Sequence, residues 1–194
     1  MVYKIGLVGT HGTGKTSLAA LTEGELKRRG IEAIKLPEIS TEAKKRGLLI
    51  NKGTNLITQM WILYQQFANE LELFGNSEHG TNYQVIITDR GPDNYCYLEQ
   101  KVGENPNALN MVLGHIHHFP YDAMYLLPRI NGNIQDNGTR DLDQEFRETM
   151  DEKIRNFFLK YEIPHKILPI PKPEDTYRQE WVEIIVNDTI RDIR

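Results

Sequence analysis

The sequence predicts an α/β fold: a five-stranded parallel sheet with helices on both faces, a three-layer sandwich. Three observations lead there. Short apolar runs end in glycine-rich or charged turns, segments with three- and four-residue apolar spacing fall between them, and the first run opens directly onto GTHGTGKT, Gly9 to Thr16. Strands that alternate with helices are joined by right-handed crossovers, which make the sheet parallel and cover both of its faces. In such sheets ligands bind beyond the carboxyl ends of the strands, so the residues after each strand are the ones to weigh.

Bulk properties bound the answer before any motif does. A chain of 194 residues supports one well-buried core, and no linker, repeat or low-complexity tract divides it, so residues 1–194 read as a single domain. With 39% hydrophobic and 26% charged residues the chain reads as globular, and no stretch approaches a membrane span. The net charge of −4 gives no bias toward nucleic acid or an anionic membrane surface, and neither is expected as a partner. Cys96 is the single cysteine, which excludes an intrachain disulfide and a cysteine-rich metal site; with no signal-peptide pattern in MVYKIGLVGT, the expected location is the cytoplasm.

Each element follows from its residues. Val2 to Val8 is a buried strand. Lys15 to Arg29 is a helix with Leu18, Ala19, Leu21 and Leu26 near one face and Gly30 behind it as a C-terminal cap. IEAIKLP, Ile31 to Pro37, is the second strand. Thr54 to Phe74 is the longest helix, with an apolar ladder of Leu56, Ile57, Met60, Leu63, Tyr64, Phe67, Leu71 and Phe74. QVIITD ending at Asp89, DAMYLLP and HKILPI supply the third, fourth and fifth strands. Helices are expected at about Pro92 to Glu99, Pro106 to His118, Leu142 to Tyr161, and from Glu174 to the C-terminus.

The loop after the first strand fits the phosphate-binding pattern G-x-x-x-x-G-K-[ST]. Gly9, Gly12 and Gly14 permit backbone angles closed to other residues and let amides approach an oxyanion. Thr10, His11, Thr13 and Ser17 complete the nucleotide-binding stretch, and the helix from Lys15 adds its N-terminal partial charge. Lys15 is expected to reach the β- and γ-phosphates of ATP, and the Thr16 hydroxyl to ligate Mg²⁺. Asp89, at the end of the third strand, is placed to hold that metal opposite Thr16, directly or through water. Arg90 beside it can grip a phosphate or a transferring phosphoryl group by forked hydrogen bonds; the alternative is a surface salt bridge.

With the phosphate loop, the TDRG pairing resembles the Asp-Arg or Glu-Arg motif of thymidylate kinases and deoxynucleoside kinases, and the layout is similar to the kinase-like P-loop domain of bifunctional nicotinamide-riboside kinases. The resemblance implies an ATP:acceptor phosphotransferase with a nucleoside or nucleotide acceptor. It implies that Glu38, in KLPEIS, receives the acceptor hydroxyl's proton or binds its sugar; the same residue also reads as an acid at a helix N-terminus, with Ser40 and Thr41 as cap-like neighbours. WILYQQF, Trp61 to Phe67, resembles the segment whose glutamine reads a nucleobase edge. That makes Gln65 or Gln66 the reader and Trp61, Tyr64 or Phe67 a stacking surface, unless these aromatics only fill a core. Substrate contacts are thus expected from Glu38, Trp61, Tyr64, Gln65 and Arg90.

The polar stretch NGNIQDNGTRDLDQEFR, Asn131 to Arg147, lies where the related kinases carry a lid, here spanning about 129–147. The resemblance gives Arg140 and Arg147 the task of closing on the phosphates and excluding water. HIHH, His115 to His118, has the spacing of a helix end rather than of a metal site. A stand-alone ATPase or nucleotide-dependent binding module would share every phosphate-loop residue and lack a small acceptor.

Overall fold

A computed structural model of the chain describes residues 2–50, 53–78, 83–130, 144–172, 175 and 178–194. The strands are β1 (Tyr3–Val8), β2 (Ala33–Lys35), β3 (Val85–Asp89), β4 (Ala123–Leu126) and β5 (Lys166–Ile167). They form one parallel sheet in the order β2-β3-β1-β4-β5, with Leu7 opposite both Asp89 and Tyr125. The helices are α1 (Lys15–Arg28), α2 (Ile39–Lys45), α3 (Leu56–Glu78), α4 (Asn94–Val102), α5 (Pro106–His118), α6 (Gln144–Lys160) and α7 (Gln179–Asp192). The predicted α/β class and the five parallel strands hold. β1 and β3 start one residue later than expected, β2, β4 and β5 are shorter because only part of each apolar run pairs, and α2 was not foreseen as an element.

Alternation along the strands divides the core in two. Ile5, Leu7, Val85, Ile87 and Tyr125 face α1 and α7, packing on Leu18, Leu26, Trp181 and Ile185. Val8, Met124 and Leu126 face the other way, onto Leu63, Phe67, Tyr95, Leu98, Val112, Ile154 and Phe158 of α3 to α6. Being buried on both faces is why these strands read as continuous apolar runs. Gly6 is required by close packing, since a Cβ there would come within 2.9 Å of the Tyr121 ring.

Burial adds two buried polar groups to the sequence reading and corrects one apolar ladder. Lys4, inside the apolar first run, is fully buried: its Nζ lies 2.6 Å from Glu70 of α3 and donates to the Phe119 carbonyl at 2.8 Å. Leu21 of α1 and Leu56, Ile57, Tyr64 and Leu71 of α3 are exposed, because an apolar ladder taken at both three- and four-residue steps wraps beyond the one face that meets the sheet. His115 is buried against Phe67, ring centroids 3.9 Å apart, with Nε2 2.9 Å from Glu70. No group of His, Cys, Asp and Glu among the described residues could hold a metal ion by itself, and no described helix is long and apolar enough to cross a membrane.

Candidate nucleotide and acceptor site

Beyond the carboxyl ends of β1, β2 and β3 lies an open cleft of about 950 Å³ including solvent space. One wall is the phosphate loop. Gly9 leaves β1 at φ 142°, and a Cβ there would stand 3.0 Å from the Leu127 carbonyl oxygen, so only glycine fits between β1 and the end of β4. Gly14 adopts φ 90° as the residue before α1 and provides no side-chain cap. His11, Gly12, Gly14, Lys15 and Thr16 line the cleft; Gly9, Thr10 and Thr13 are buried beneath the loop, and Ser17 is exposed outside it. Lys15 folds back on the loop, its Nζ donating to the carbonyls of Gly9 at 2.9 Å and Thr10 at 2.6 Å. Burial, and next the charge of Arg90, lower its pKa to about 8, against the pull of Asp89, Asp93 and Glu38.

The floor comes from the turn after β3. Asp89 is buried, and its Oδ2 has no hydrogen-bond partner among the described residues. A buried carboxylate oxygen without a hydrogen-bond partner among the described residues, in a cleft that Thr16 also lines, has the chemistry of a hard divalent cation site, so Asp89 and Thr16 fit Mg²⁺. Arg90 takes φ 92°, a left-handed angle rare for a residue with a side chain. Its guanidinium lies 4.2 Å from the Tyr97 ring centroid and donates from Nη2 to Nδ1 of His11 at 3.1 Å. A guanidinium only donates, so that His11 nitrogen carries no proton. Burial works against the charge of Arg90, but Tyr97, Asp93, Asp89 and Glu38 more than restore it and hold its pKa above the ordinary value. Asp93 ties floor to loop, accepting from the Gly91 amide at 2.8 Å and from the Gly9 amide at 3.4 Å.

The far wall is built by α2 and α3. Glu38 occupies the N-cap position of α2 without a side-chain cap bond, and its two carboxylate oxygens accept from the Ser40 and Thr41 hydroxyls at 2.9 and 3.0 Å. Burial pushes this carboxyl up, but Arg90, the two hydroxyls and Lys15 outweigh it and hold the group below the ordinary carboxylate range. Glu38 thus stands at the N-terminal end of α2 and lines the cleft. From α3 the cleft receives Gln59, Ile62 and Gln66. Trp61, Tyr64 and Gln65 do not line it, and the predicted register is corrected accordingly. Trp61 packs between α2 and α3 beside Ile39 and Ala43, Tyr64 is 58% exposed, and the Gln65 amide donates to Asn69 at 2.6 Å.

Toward the start of α6, Phe146 lines the cleft, with the Lys101 ammonium 4.4 Å from its ring centroid. Arg147 is buried, donating from Nε to the His11 carbonyl and from Nη2 to the Ile130 carbonyl, both at 3.1 Å. Arg140 and the rest of the expected lid, 131–143, lie outside the described residues. Sequence reasoning missed Asp93, Asn94, Tyr97, Lys101 and Gln59. A signal for three of them existed: Asn94, Tyr97 and Lys101 recur at three- and four-residue steps on the helix that starts after the Asp-Arg pair.

Residues 4–175 match the family model of an AAA domain, AAA_28. The chain belongs to this family. Among solved structures the AAA domain is similar to NadR in complex with NR, at 15% identity over 99% of this chain and 51% of that one, with a TM-score of 0.72. It is similar also to deoxyadenosine kinase from M. mycoides with products dCMP and a flexible dCDP bound, at 19% identity, 97% and 99% coverage, and a TM-score of 0.55. Thymidylate kinase from Ehrlichia chaffeensis aligns at 14% identity over 100% of this chain and 99% of its own, with a TM-score of 0.63. The chain spans about half the length of the NadR chain. No curated protein matches it. The resemblance to the P-loop kinases thus holds for the fold.

Proposed function

We propose that this AAA domain is an ATP- and Mg²⁺-dependent phosphotransferase that acts in the cytoplasm on a small acceptor, a nucleoside or nucleotide. One observation carries the reading: the phosphate loop, Asp89 and Arg90 share their cleft with a second polar wall, Glu38, Gln59 and Gln66, which a triphosphate alone does not need. A stand-alone ATPase or binding module requires only the first half. The folds of deoxyadenosine kinase and thymidylate kinase support the same reading.

In this mechanism the loop amides and the N-terminus of α1 hold the donor's phosphoryl oxygens. Lys15 exchanges the Gly9 and Thr10 carbonyls, its present partners, for the β- and γ-phosphoryl oxygens. Thr16 and Asp89 would hold Mg²⁺, which when bound neutralises charge on those oxygens. Arg90 binds a phosphoryl oxygen from the acceptor side, and Glu38 accepts the acceptor hydroxyl's proton. The bond from the γ-phosphorus to the β,γ-bridging oxygen breaks as the bond to the acceptor oxygen forms, and ADP leaves.

The test is ATP turnover with and without a panel of nucleosides and nucleoside monophosphates. At least one panel member is expected to be phosphorylated, and Lys15→Ala to reduce that transfer by on the order of 10²–10³-fold. Turnover that no panel member raises, with none phosphorylated, would favour the stand-alone ATPase.

A further inference from the structure

His11 sits in the middle of the phosphate loop, yet its contacts run to three other elements. Its carbonyl accepts from Arg147 Nε of α6 at 3.1 Å. Its ring packs on two others, with centroids 4.8 Å from Tyr97 of α4 and 6.0 Å from Phe146 of α6. Its Nδ1 accepts from Nη2 of Arg90, in the turn after β3, at 3.1 Å. Tyr97 is tied back to the same loop, its hydroxyl donating to the Gly9 carbonyl at 3.4 Å.

For Arg90 these contacts differ in what they fix. The guanidinium stands 4.2 Å from the Tyr97 ring centroid. Attraction to the face of a ring sets the height of a cation above it and leaves the guanidinium fork free to turn in its own plane. The hydrogen bond to His11 removes that freedom, because it pins one N–H and so aims the others. A guanidinium has five N–H groups, so spending one on His11 leaves others for a phosphoryl oxygen. Aim matters for an arginine that grips a phosphate by paired, parallel bonds. The polarity runs one way: Arg90 only donates, so this loop position needs an acceptor. A purely apolar ring there would keep the packing on Tyr97 and Phe146 and lose the aim.

We infer that His11 is a positioning residue for Arg90: its unprotonated Nδ1 sets the direction of the guanidinium fork, so the loop that holds the donor's phosphates also aims the arginine that meets the acceptor. The role rests on the phosphotransferase reading of Arg90, whereas the contact stands without it.

Two variants separate the bond from the packing. His11→Phe keeps a ring against Tyr97 and Phe146 and removes the acceptor. His11→Asn removes the ring, and its amide oxygen reaches the place of Nδ1. Both are compared with the wild type on an acceptor that the wild type phosphorylates, taken from the nucleoside and nucleoside monophosphate panel. His11→Phe is expected to raise the acceptor KM about tenfold while the ATP dissociation constant, from calorimetry, stays within about threefold. His11→Asn is expected to stay within about threefold of the wild type in both. Arg90→Gly removes the guanidinium at a backbone angle that glycine accepts, and adding His11→Phe to it should change the acceptor KM no further. Thermal unfolding checks that each variant folds, and His11→Leu replaces His11→Phe if the latter does not.

The reverse pattern, with His11→Phe tolerated and His11→Asn impaired, would make His11 a packing residue and overturn the role. So would a His11→Phe effect that persists in Arg90→Gly, or one that falls equally on ATP. If the wild type phosphorylates no panel member, the phosphotransferase reading fails, and the same variants are read on ATP turnover. There, loss in His11→Phe, retention in His11→Asn and no further loss beside Arg90→Gly would keep His11 as the residue that aims Arg90, and any other pattern would remove it.

Discussion

Asp89 and Arg90 are neighbours in sequence whose backbones are asked for different things. Asp89 ends β3 in regular strand pairing opposite Leu7, whereas Arg90 turns to φ 92° while its amide still donates to the Leu7 carbonyl at 3.0 Å. That angle swings the guanidinium over Tyr97 toward His11, where a residue continuing the strand would point elsewhere. The strain belongs to the Cβ, and its cost separates from that of the charge by comparing two truncations. Arg90→Ala and Arg90→Gly both remove the guanidinium, but only glycine is at ease at positive φ. Arg90→Gly is therefore expected to be more stable than Arg90→Ala by about 1 kcal/mol in urea unfolding, with phosphoryl transfer equally low in both. Equal stability of the two would mean that the backbone relaxes once the side chain is gone. On the proposed role of Arg90, its loss raises the KM for the acceptor more than the KM for ATP.

At the scale of the element, α3 is joined to β1 through charge as well as packing. Lys4 and Glu70 are both fully buried, and a buried pair is costly to break because the surviving partner keeps its charge without compensation. Lys4→Met is expected to destabilise the protein by about 3–5 kcal/mol, measured by urea unfolding at pH 7. The pH dependence follows from the carboxyl. Burial raises the Glu70 pKa, but His115, Lys4 and Gln66 outweigh it and bring it below the ordinary value. A depressed folded pKa contributes stability that is present above the unfolded pKa of about 4.3 and lost as pH falls through the folded value. Wild-type stability should thus fall below about pH 4.3 with a component of up to roughly 1.4 kcal/mol per pH unit that Glu70→Gln lacks. An identical acid slope in the two proteins would place the titration elsewhere. None of this was legible in the first strand, where Lys4 sits in an apolar run and its partner lies far along the chain. Nor could the sequence decide between Gln65 and Gln66. Adjacent helical residues differ by about 100° around the axis, and an apolar ladder with exposed rungs such as Ile57 and Tyr64 leaves that angle undetermined.

At the scale of the whole molecule, the strand order β2-β3-β1-β4-β5 places the ends of β1 and β3 side by side at the point where the chain reverses direction across the sheet. This is why Gly9 to Thr16 and Asp89-Arg90 were legible as one site from sequence: phosphate loops and metal acids are local patterns, and parallel strands bring their ends together. Asp93, which bonds across to Gly9, was not legible, because an aspartate after a proline also reads as an ordinary turn residue. Arg147 shows a third kind of dependence. Its guanidinium bonds to the carbonyls of His11 and Ile130, tying α6 to the phosphate loop and to the chain beyond β4. The planar fork is what allows one side chain to hold two carbonyls at once, and an ammonium on a lysine is a poorer match for both. Arg147→Lys keeps the charge and loosens the clamp, so the loop has to be ordered by the nucleotide itself. The expected result is an ATP dissociation constant raised about tenfold, some 1.4 kcal/mol, measured by calorimetry, with the chain still folded. If Arg147→Lys binds ATP as the wild type does while Arg147→Ala does not, the charge rather than the clamp is what the loop requires.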